Sequence, residues 1–403
     1  MRGLLFGVLL GVAGAAHADF VIPGFELVHT APLETSLSNA DLRSPAAVWS
    51  QLFDGAKSEI AIGQFYVAGK AGSAFDAVIE RLAAAGARGV KIRFLLDQKG
   101  VGISDPDTIA RLKTIPNLEL HIIDFNDLTG NGILHAKYLL VDRSVAYVGS
   151  QNFDWRSFSH IHETGLRVSE PAIVGQIQAI FDQDWRAQAL LGQKLQVPAL
   201  NTKVVAADTA QATFLLASPN RYNPAGVGDA ETGLPALLAE AKSEVRIQLL
   251  DYAPLSYGPQ HTRPYYAVID NALRSAAARG VKIKLMVSNW NTEAPALAYL
   301  KSLSVLPNIE IRVVTLPQAS SGFIPFARVI HSKTMVIDGQ LAWVGTSNWA
   351  GGYMDLSRNM EIVMRNEKMA QRVAALHEQT WSSPYAQALD VNKVYPKPSK
   401  GSQ

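Results

Sequence analysis

Two stretches of the chain carry the same reactive side chains at the same internal spacing. The first stretch contains His135, Lys137, Asp142, Gly149, Ser150 and Asn152. The second stretch contains His331, Lys333, Asp338, Gly345, Thr346, Ser347 and Asn348. Strand alternation places a histidine and a lysine two residues apart on the same face. Two such copies therefore predict a single site that is assembled from two halves of the chain.

The chemistry of these residue types points to a phosphate diester. Two lysines and two amides can hold the non-bridging oxygens of a phosphate. Of two facing histidines, one can attack phosphorus as a neutral imidazole, while the other, protonated, gives its proton to the leaving oxygen and later deprotonates water. We predict that the catalytic residues include His135 and His331, and that the phosphate is bound by Lys137, Lys333, Asn152, Asn348, Ser150, Thr346 and Ser347.

Each histidine also needs an acceptor for its second ring nitrogen, which fixes the tautomer and the ring orientation. We predict this role for Glu163 and Glu361, which follow the two motifs in the segments HETGLRV and NMEIVM. Both glutamates could instead be plain ion-pair partners on a strand. The remaining motif residues are predicted to be structural, because strand alternation turns the aspartates away from the histidines and the glycines allow close backbone approach. They are Asp142, Asp338, Gly149 and Gly345.

A zinc site is the competing interpretation of histidine-rich stretches. The chain has no cysteine, and an ammonium two residues from each motif histidine would repel a metal ion. We therefore predict no metal and no cofactor. His160 and His162 precede Glu163 without histidine counterparts in the second copy, so they are expected at the surface or beside the site.

The elements that carry the motifs also occur twice. AKSE opens the apolar runs IAIGQFYV and VRIQLLDYA, a helical apolar stripe follows each run, and RGVKI leads into the next strand in both halves. Strands that alternate with helices predict an α/β protein. We expect two related α/β sandwich halves, each a mixed sheet flanked by helices, packed face to face about a pseudo-two-fold axis with the active site between them. The predicted boundaries are 19–191 and 209–390 for the halves, 192–208 for the linker and 391–403 for a flexible tail.

The N-terminal segment and the composition bound the class of protein. The chain has 403 residues, 48% of them hydrophobic, and a formal net charge of +2, which excludes a strong overall field for polyanions. The absence of cysteine excludes disulfides and thiolate chemistry. Residues 1–18 resemble a cleavable signal peptide; a retained anchor is the alternative. We expect a periplasmic or secreted protein with no membrane span in the mature chain, and a monomer because one chain holds both half-sites.

The two stretches are similar to the paired HxKx4Dx6G(S/T) signature of the phospholipase D superfamily. The resemblance rests on GILHAKYLLVD with GSQNFDWRS and on FARVIHSKTMV with GTSNWAGGY, and it extends over nearly the whole mature chain. The branch most resembled comprises lysosomal phospholipase D-like 5′ exonucleases and poxvirus envelope phospholipases. The resemblance implies metal-independent phosphodiester hydrolysis or transfer through a phosphohistidine, with His135 as nucleophile and His331 as acid. Members of that branch often lack aspartate in the second motif, where this chain has Asp338, and its lysosomal members have disulfides, which this chain cannot form. These differences affect the expected substrate rather than the chemistry.

Three functions remain open on the sequence alone. They are hydrolysis of phospholipid head groups, nuclease or exonuclease action on single-stranded nucleic acid, and a binding or envelope role without catalysis. The low net charge favours lipid, because nonspecific nucleic-acid affinity needs many phosphate contacts. Aromatic residues near the motif ends could stack on bases, contact acyl chains, or simply pack between the halves. They are Trp155, Phe323, Phe326, Trp349 and Tyr353, whereas Trp185, Trp343 and Trp381 are expected in the core.

Overall fold

The structure is a computed structural model that describes residues 19–257 and 262–401. The predicted signal peptide, residues 1–18, lies outside the described residues, so its cleavage stays a prediction. Within the described ranges, no helix combines the length and apolar character that crossing a membrane requires.

The first half contains ten strands and six helices among its described residues. The strands are β1 (Val21–Ile22), β2 (Phe25–Thr30), β3 (Glu59–Gln64), β4 (Val67–Ala68), β5 (Lys91–Asp97), β6 (Leu118–Ile123), β7 (Lys137–Val141), β8 (Val145–Gly149), β9 (Phe153–Asp154) and β10 (Glu163–Val168). The helices are α1 (Pro45–Gly55), α2 (Ala74–Ala87), α3 (Gln98–Val101), α4 (Pro106–Lys113), α5 (Phe125–Thr129) and α6 (Pro171–Gly192).

The second half repeats this plan. Its described strands are β11 (Thr213–Ser218), β12 (Gly228–Asp229), β13 (Glu244–Leu249), β14 (Tyr252–Ala253), β15 (Lys282–Ser288), β16 (Ile309–Val314), β17 (Thr334–Ile337), β18 (Leu341–Gly345), β19 (Trp349–Ala350), β20 (Asn359–Met364) and β21 (Ala386–Ala388). Its described helices are α7 (Ala230–Glu240), α8 (Ala267–Ala278), α9 (Ala296–Ser304) and α10 (Glu367–Trp381).

Each half is built on one mixed sheet. The strand order is β1-β2-β10-β8-β7-β3-β5-β6 in the first sheet and β12-β11-β20-β18-β17-β13-β15-β16-β21 in the second. In both sheets a parallel trio (β3-β5-β6 and β13-β15-β16) adjoins an antiparallel hairpin, which is β7-β8 in the first half and β17-β18 in the second. The parallel strands require crossover connections, which α2 and then α3 and α4 supply in the first half and α8 and then α9 supply in the second.

The helices form where the apolar periodicity predicts them. Ser73 caps α2 by accepting a hydrogen bond from the Asp76 amide, and the apolar stripe of α2 is buried. In the second half the apolar periodicity predicts a stripe of Tyr265, Val268, Ile269 and Ala272. The helix α8 begins only at Ala267, so Tyr265 lies before it and is exposed.

The two halves share one hydrophobic core. Leu140 and Leu166 of the first sheet and Val336 and Ile362 of the second belong to the same buried cluster, together with apolar residues of α6 and α10. Separate clusters fill the outer faces, beneath α1 and α2 in one half and α7 and α8 in the other. The predicted fold class, with two α/β halves facing each other, is confirmed.

Two segments outside the sheets, the connection between the halves and the C-terminal tail, are predicted to be irregular. Residues 193–212, which contain most of the predicted linker, form no helix or strand. The predicted flexible tail contacts the second half: the Phe326 amide donates to the Lys400 carbonyl (2.8 Å), and Lys400 Nζ reaches Glu293 (2.9 Å). The domain boundaries and the flexibility of the tail stay predictions.

Candidate active site

The motif aspartates fasten a tight turn to the start of a neighbouring strand. Asp142 and Arg143 both have positive φ, 51° and 54°, as the hairpin turn between β7 and β8 requires. The Asp142 carboxylate accepts hydrogen bonds from three successive amides, residues 57–59, at 2.8–3.0 Å. Asp338 does the same for residues 242–244. This contact explains why the AKSE segment recurs, and it places both aspartates in a structural position away from the histidines.

Each motif histidine is held by the opposite half of the protein. The His135 amide donates to the Arg358 carbonyl (3.0 Å), just before β20, and the His331 amide donates to the His162 carbonyl (2.8 Å), just before β10. These crossed contacts bring both rings to one cavity of about 310 Å³ between the halves. Asn152 also lines the cavity from the first half, and Asn348 lines it from the second.

The two lysines lie beneath the histidines and are fully buried. Each Nζ donates to the backbone carbonyl of the histidine two residues earlier, Lys137 to His135 and Lys333 to His331. Burial lowers the pKa of both amines, to about 7 for Lys333. A bound phosphate would offset the lost hydration and favour the charged form, so this pair is suited to an anionic substrate.

The hydroxyl groups predicted to touch phosphate face the strands instead. Ser150 exchanges hydrogen bonds with the Thr164 backbone, Thr346 donates to Asn359 (2.9 Å), and Ser347 donates to Glu361. All three are fully buried behind the cavity wall. These hydroxyls brace the strand ends that carry the orienting groups, and their contact with phosphate stays a prediction.

Only one of the two predicted orienting glutamates reaches a histidine. Glu163 Oε2 accepts from His331 Nδ1 at 2.8 Å, so the carboxylate of the first half orients the histidine of the second. His135 Nδ1 instead contacts Asn359 Oδ1 at 2.9 Å. The prediction for Glu361 is wrong. Asn359 follows His331 by the same 28 residues that separate Glu163 from His135, and that identical spacing was the signal that could have identified it.

Glu361 packs behind the cavity, and comparison with the equivalent residue of the first half explains this role. The equivalent residue in the first half is Gly165, where a Cβ would approach the Tyr147 hydroxyl to 2.2 Å and Gln151 Oε1 to 3.0 Å. Tyr147 and Gln151 fill that space in the first half, whereas in the second half the Glu361 side chain accepts from the Ser347 hydroxyl. Burial raises the pKa of Glu361 to about 8, so this carboxyl is mostly protonated at neutral pH.

Sequence reasoning missed much of the cavity wall. Phe326 and Tyr353, for which the sequence leaves three roles open, line the cavity. Phe65, Tyr66, Trp290 and Asp251 also line it, and the sequence did not predict them. No motif marks these residues, because they come from loops of both halves.

The other aromatic and histidine residues named in the sequence analysis do not line the cavity. Trp349 packs on Trp343 in the core, Trp381 is buried, and Trp185 is half-buried and stacks on Phe181. Phe323 is exposed, Trp155 lies under Lys70 Nζ at 4.2 Å, and His160 packs against Trp155. His162 is buried with Nδ1 3.0 Å from Ser332 Oγ, so it belongs to the packing behind His331.

The described residues contain no group of three or more histidine, aspartate or glutamate side chains arranged to hold a metal ion. What the cavity does offer is two imidazoles, each with Nδ1 engaged and therefore with Nε2 left for a substrate. Fold and site together define a two-motif α/β enzyme with a paired-histidine centre between its halves.

Comparison with known proteins identifies the family. The family model described as "Cardiolipin synthase, PLD-like domain" matches residues 50–185 and 234–381. Phospholipase D Z of Dictyostelium discoideum is 31% identical, over 88% of this chain and 87% of that protein. The 5′-3′ exonuclease PLD3 of Xenopus laevis is 30% identical, over 84% of this chain and 75% of that protein. The chain belongs to the phospholipase D-like family.

Two further comparisons bear on length and fold. A probable phospholipase D of Caenorhabditis elegans is 29% identical over 77% of this chain, which spans 60% of that protein's length. The crystal structure of phosphatidylserine synthase from Haemophilus influenzae superposes with a TM-score of 0.59 at 10% identity, covering 85% of each chain. That similarity supports the fold alone.

Proposed function

We propose that the protein is a metal-independent phospholipase D-type hydrolase that removes head groups from phospholipids through a phosphohistidine intermediate. One observation carries the chemistry: His135 and His331, from opposite halves, line the same cavity with their Nδ1 atoms engaged from behind. Family membership supports phosphodiester cleavage, and the relatives named above include both a phospholipase D and an exonuclease.

The reaction then follows in two displacements. His135 Nε2 forms a bond to phosphorus while the bond to the head-group oxygen breaks, and that oxygen takes the proton of His331 Nε2. Water next attacks phosphorus and gives its proton to His331 Nε2. The P–N bond breaks, and its electron pair returns to His135. Lys137 and Lys333 stabilise the charge on the non-bridging oxygens.

The cavity walls favour a lipid over a nucleic-acid strand. Apart from the two histidines and two asparagines, the described lining residues are mainly aromatic and aliphatic, with one carboxylate, Asp251, and no lysine or arginine. Ile103, which lines the cavity, is an exposed apolar side chain suited to an acyl-chain interface. The adjoining groove beside Tyr353 is mixed, because it contains Lys99 and the exposed Tyr257, whose ring lies 4.4 Å from the Arg263 guanidinium. A polyanionic strand would need several cationic contacts here.

Exonuclease action on single-stranded nucleic acid is the second candidate. The support is the exonuclease name of the Xenopus relative and the aromatic wall, since Phe65, Trp290 and Phe326 could stack on a terminal base. A cavity of about 310 Å³ has room for a terminal unit rather than for an internal stretch of strand.

The two candidates separate in one assay. Purified protein in chelator is given phosphatidylcholine vesicles and a 5′-hydroxyl oligonucleotide in parallel, with His135→Asn as the inactive control. We expect choline and phosphatidic acid without nucleotide release. Nucleotide release without choline would reverse the assignment, and cleavage of neither substrate would refute the proposed function.

We also propose that the mature protein is an exported monomer. N-terminal sequencing of the secreted fraction should begin at Asp19, and light scattering should give the mass of one chain. A retained N-terminus or a stable dimer would overturn the respective proposal.

A further inference from the structure

The two halves place chemically different residues at the same position behind the two histidines. Matched motif positions are separated by a constant 196 residues, as for His135 and His331, and by that measure Asn359 is the counterpart of Glu163. Glu163 Oε2 lies 2.8 Å from His331 Nδ1, and Asn359 Oδ1 lies 2.9 Å from His135 Nδ1. The pseudo-symmetric site is therefore asymmetric in charge.

We propose that Asn359 is a positioning residue that fixes His135 as the nucleophile, while Glu163 makes His331 the proton donor and acceptor. This inference rests on the proposed function for its chemistry, but the tautomer of His135 on which it depends can be observed without any substrate.

The hydrogen bonds around Asn359 fix which way its amide points. Asn359 Nδ2 donates to the Tyr353 carbonyl at 2.9 Å, a contact that the amide oxygen cannot make. The Met360 amide donates to Thr346 Oγ1 (3.0 Å), so the Thr346 hydroxyl donates onward to Asn359 Oδ1 (2.9 Å). Asn359 Oδ1 thus faces His135 Nδ1 as an acceptor. His135 must carry its proton on Nδ1, which leaves the Nε2 lone pair for attack on phosphorus.

Charge separates the two roles further. Burial and the nearby Lys137 and Lys333 lower the pKa of both motif histidines well below the usual value, so the group behind each ring decides which one can hold a proton. The neutral amide of Asn359 cannot offset the charge of an imidazolium at His135. His135 therefore stays neutral. Behind His331 a carboxylate can share a proton with the ring, because burial raises the pKa of Glu163 to about 8. At neutral pH this pair holds the proton that the leaving oxygen needs, and after the first displacement it accepts one from water.

The resting tautomer is measured directly by long-range ¹H–¹⁵N correlation on histidine-labelled protein, with the His135 signals assigned by their loss in His135→Asn. We expect a protonated Nδ1 and an unprotonated Nε2 at His135. A protonated Nε2 there would overturn the inference. That result is independent of whether any lipid is cleaved, so it distinguishes failure of this inference from failure of the proposed function.

Kinetics tests the division of roles, with bis(4-nitrophenyl) phosphate as the activated substrate and phosphatidylcholine as the unactivated one. Glu163→Gln should slow phosphatidylcholine cleavage at least tenfold more than release of the first nitrophenolate, since a good leaving group needs no proton. Equal losses on both substrates would refute the acid role. If phosphatidylcholine proves not to be a substrate, bis(4-nitrophenyl) phosphate still reports on the first displacement.

Asn359→Asp places a carboxylate behind both histidines. Because an adjacent opposite charge favours the imidazolium, the acid limb of kcat/KM should move to higher pH by about 1–3 units. The exposed substitution Asn392→Asp, with the same change of charge, should leave the profile in place. An unmoved limb in Asn359→Asp, or phosphate found on His331 after an alkaline denaturing quench of the unsubstituted protein, would overturn the assignment.

Discussion

Arg358 links the two halves directly behind the catalytic cavity, and its removal should destabilise the protein strongly. Its side chain is fully buried and forms a two-point ion pair with Asp184 of α6, both contacts at 2.9 Å. It also donates to the Ser218 and Tyr222 carbonyls (2.8 and 3.0 Å) and to Asn223 Oδ1 (2.9 Å). The Arg358 backbone carbonyl accepts from the His135 amide, so one residue supports both stability and the site.

The substitution Arg358→Met keeps much of the side-chain volume but leaves Asp184 buried without its counter-ion. Breaking a buried pair in this way costs about 3–5 kcal/mol, because the remaining charge is uncompensated. Replacing both partners, as in Arg358→Met with Asp184→Leu, should recover the part of that loss that comes from the uncompensated charge of Asp184. The Ser218 and Tyr222 carbonyls and Asn223 Oδ1 still lose their donor, so the recovery should be partial. Because the hydrophobic core is shared, we expect both halves to unfold in one transition.

Equilibrium unfolding in urea, followed by tryptophan fluorescence and by activity, measures the effect. The matched control is Arg365→Met, which removes a partly exposed pair with Glu240 (2.6 Å) and should cost about 0–1 kcal/mol. If Arg358→Met loses no more stability than Arg365→Met, or if the double substitution is worse than the single one, the reasoning about the buried pair is refuted.

Further predictions concern the chemistry and the substrate. Lys333→Met should lower kcat by about 10²–10³-fold, as expected for one lost oxyanion donor, with unchanged circular dichroism; a loss below fivefold in single turnover would contradict this role. Burial raises the pKa of Glu163 to about 8, so kcat should fall as pH rises through that value and deprotonates the pair with His331; a flat alkaline profile would argue against this pair as the proton source. Chelator should leave the rate unchanged, and recovery of a lost rate by a divalent ion would refute metal independence. Asp251→Asn should favour phosphatidylglycerol over phosphatidylcholine relative to the parent protein, because it removes the one carboxylate among the described residues of the cavity wall. An unchanged ratio in mixed vesicles would contradict a substrate-facing Asp251.

Much of the fold and part of the site could be predicted from residues alone. Strand alternation and the repeated segments predicted the two mixed sheets, and the spacing of His135 and Lys137 predicted that two motif copies meet at one place. The prediction of Glu361 as an orienting group is wrong, because the glutamate nearest in the second half lies two residues beyond Asn359, the true counterpart of Glu163. The bonds from the Thr346 and Ser347 hydroxyls to the neighbouring strand could not be predicted, because sequence spacing does not show which hydrogen bond a side chain forms.

The sequence by itself determined which reactive groups exist, that they occur twice, and that an α/β scaffold carries them, because these properties depend on residue type and on local periodicity. Tertiary structure decided which half orients which histidine. Glu163 reaches His331 and Asn359 reaches His135 only because the two sheets face each other and exchange backbone contacts at the ends of β10 and β20. It also decided the apolar character of the cavity wall, since loops distant in sequence meet there. Periodicity fixes the face of a strand on which a side chain lies, but it carries no information about the surface that packs against that face.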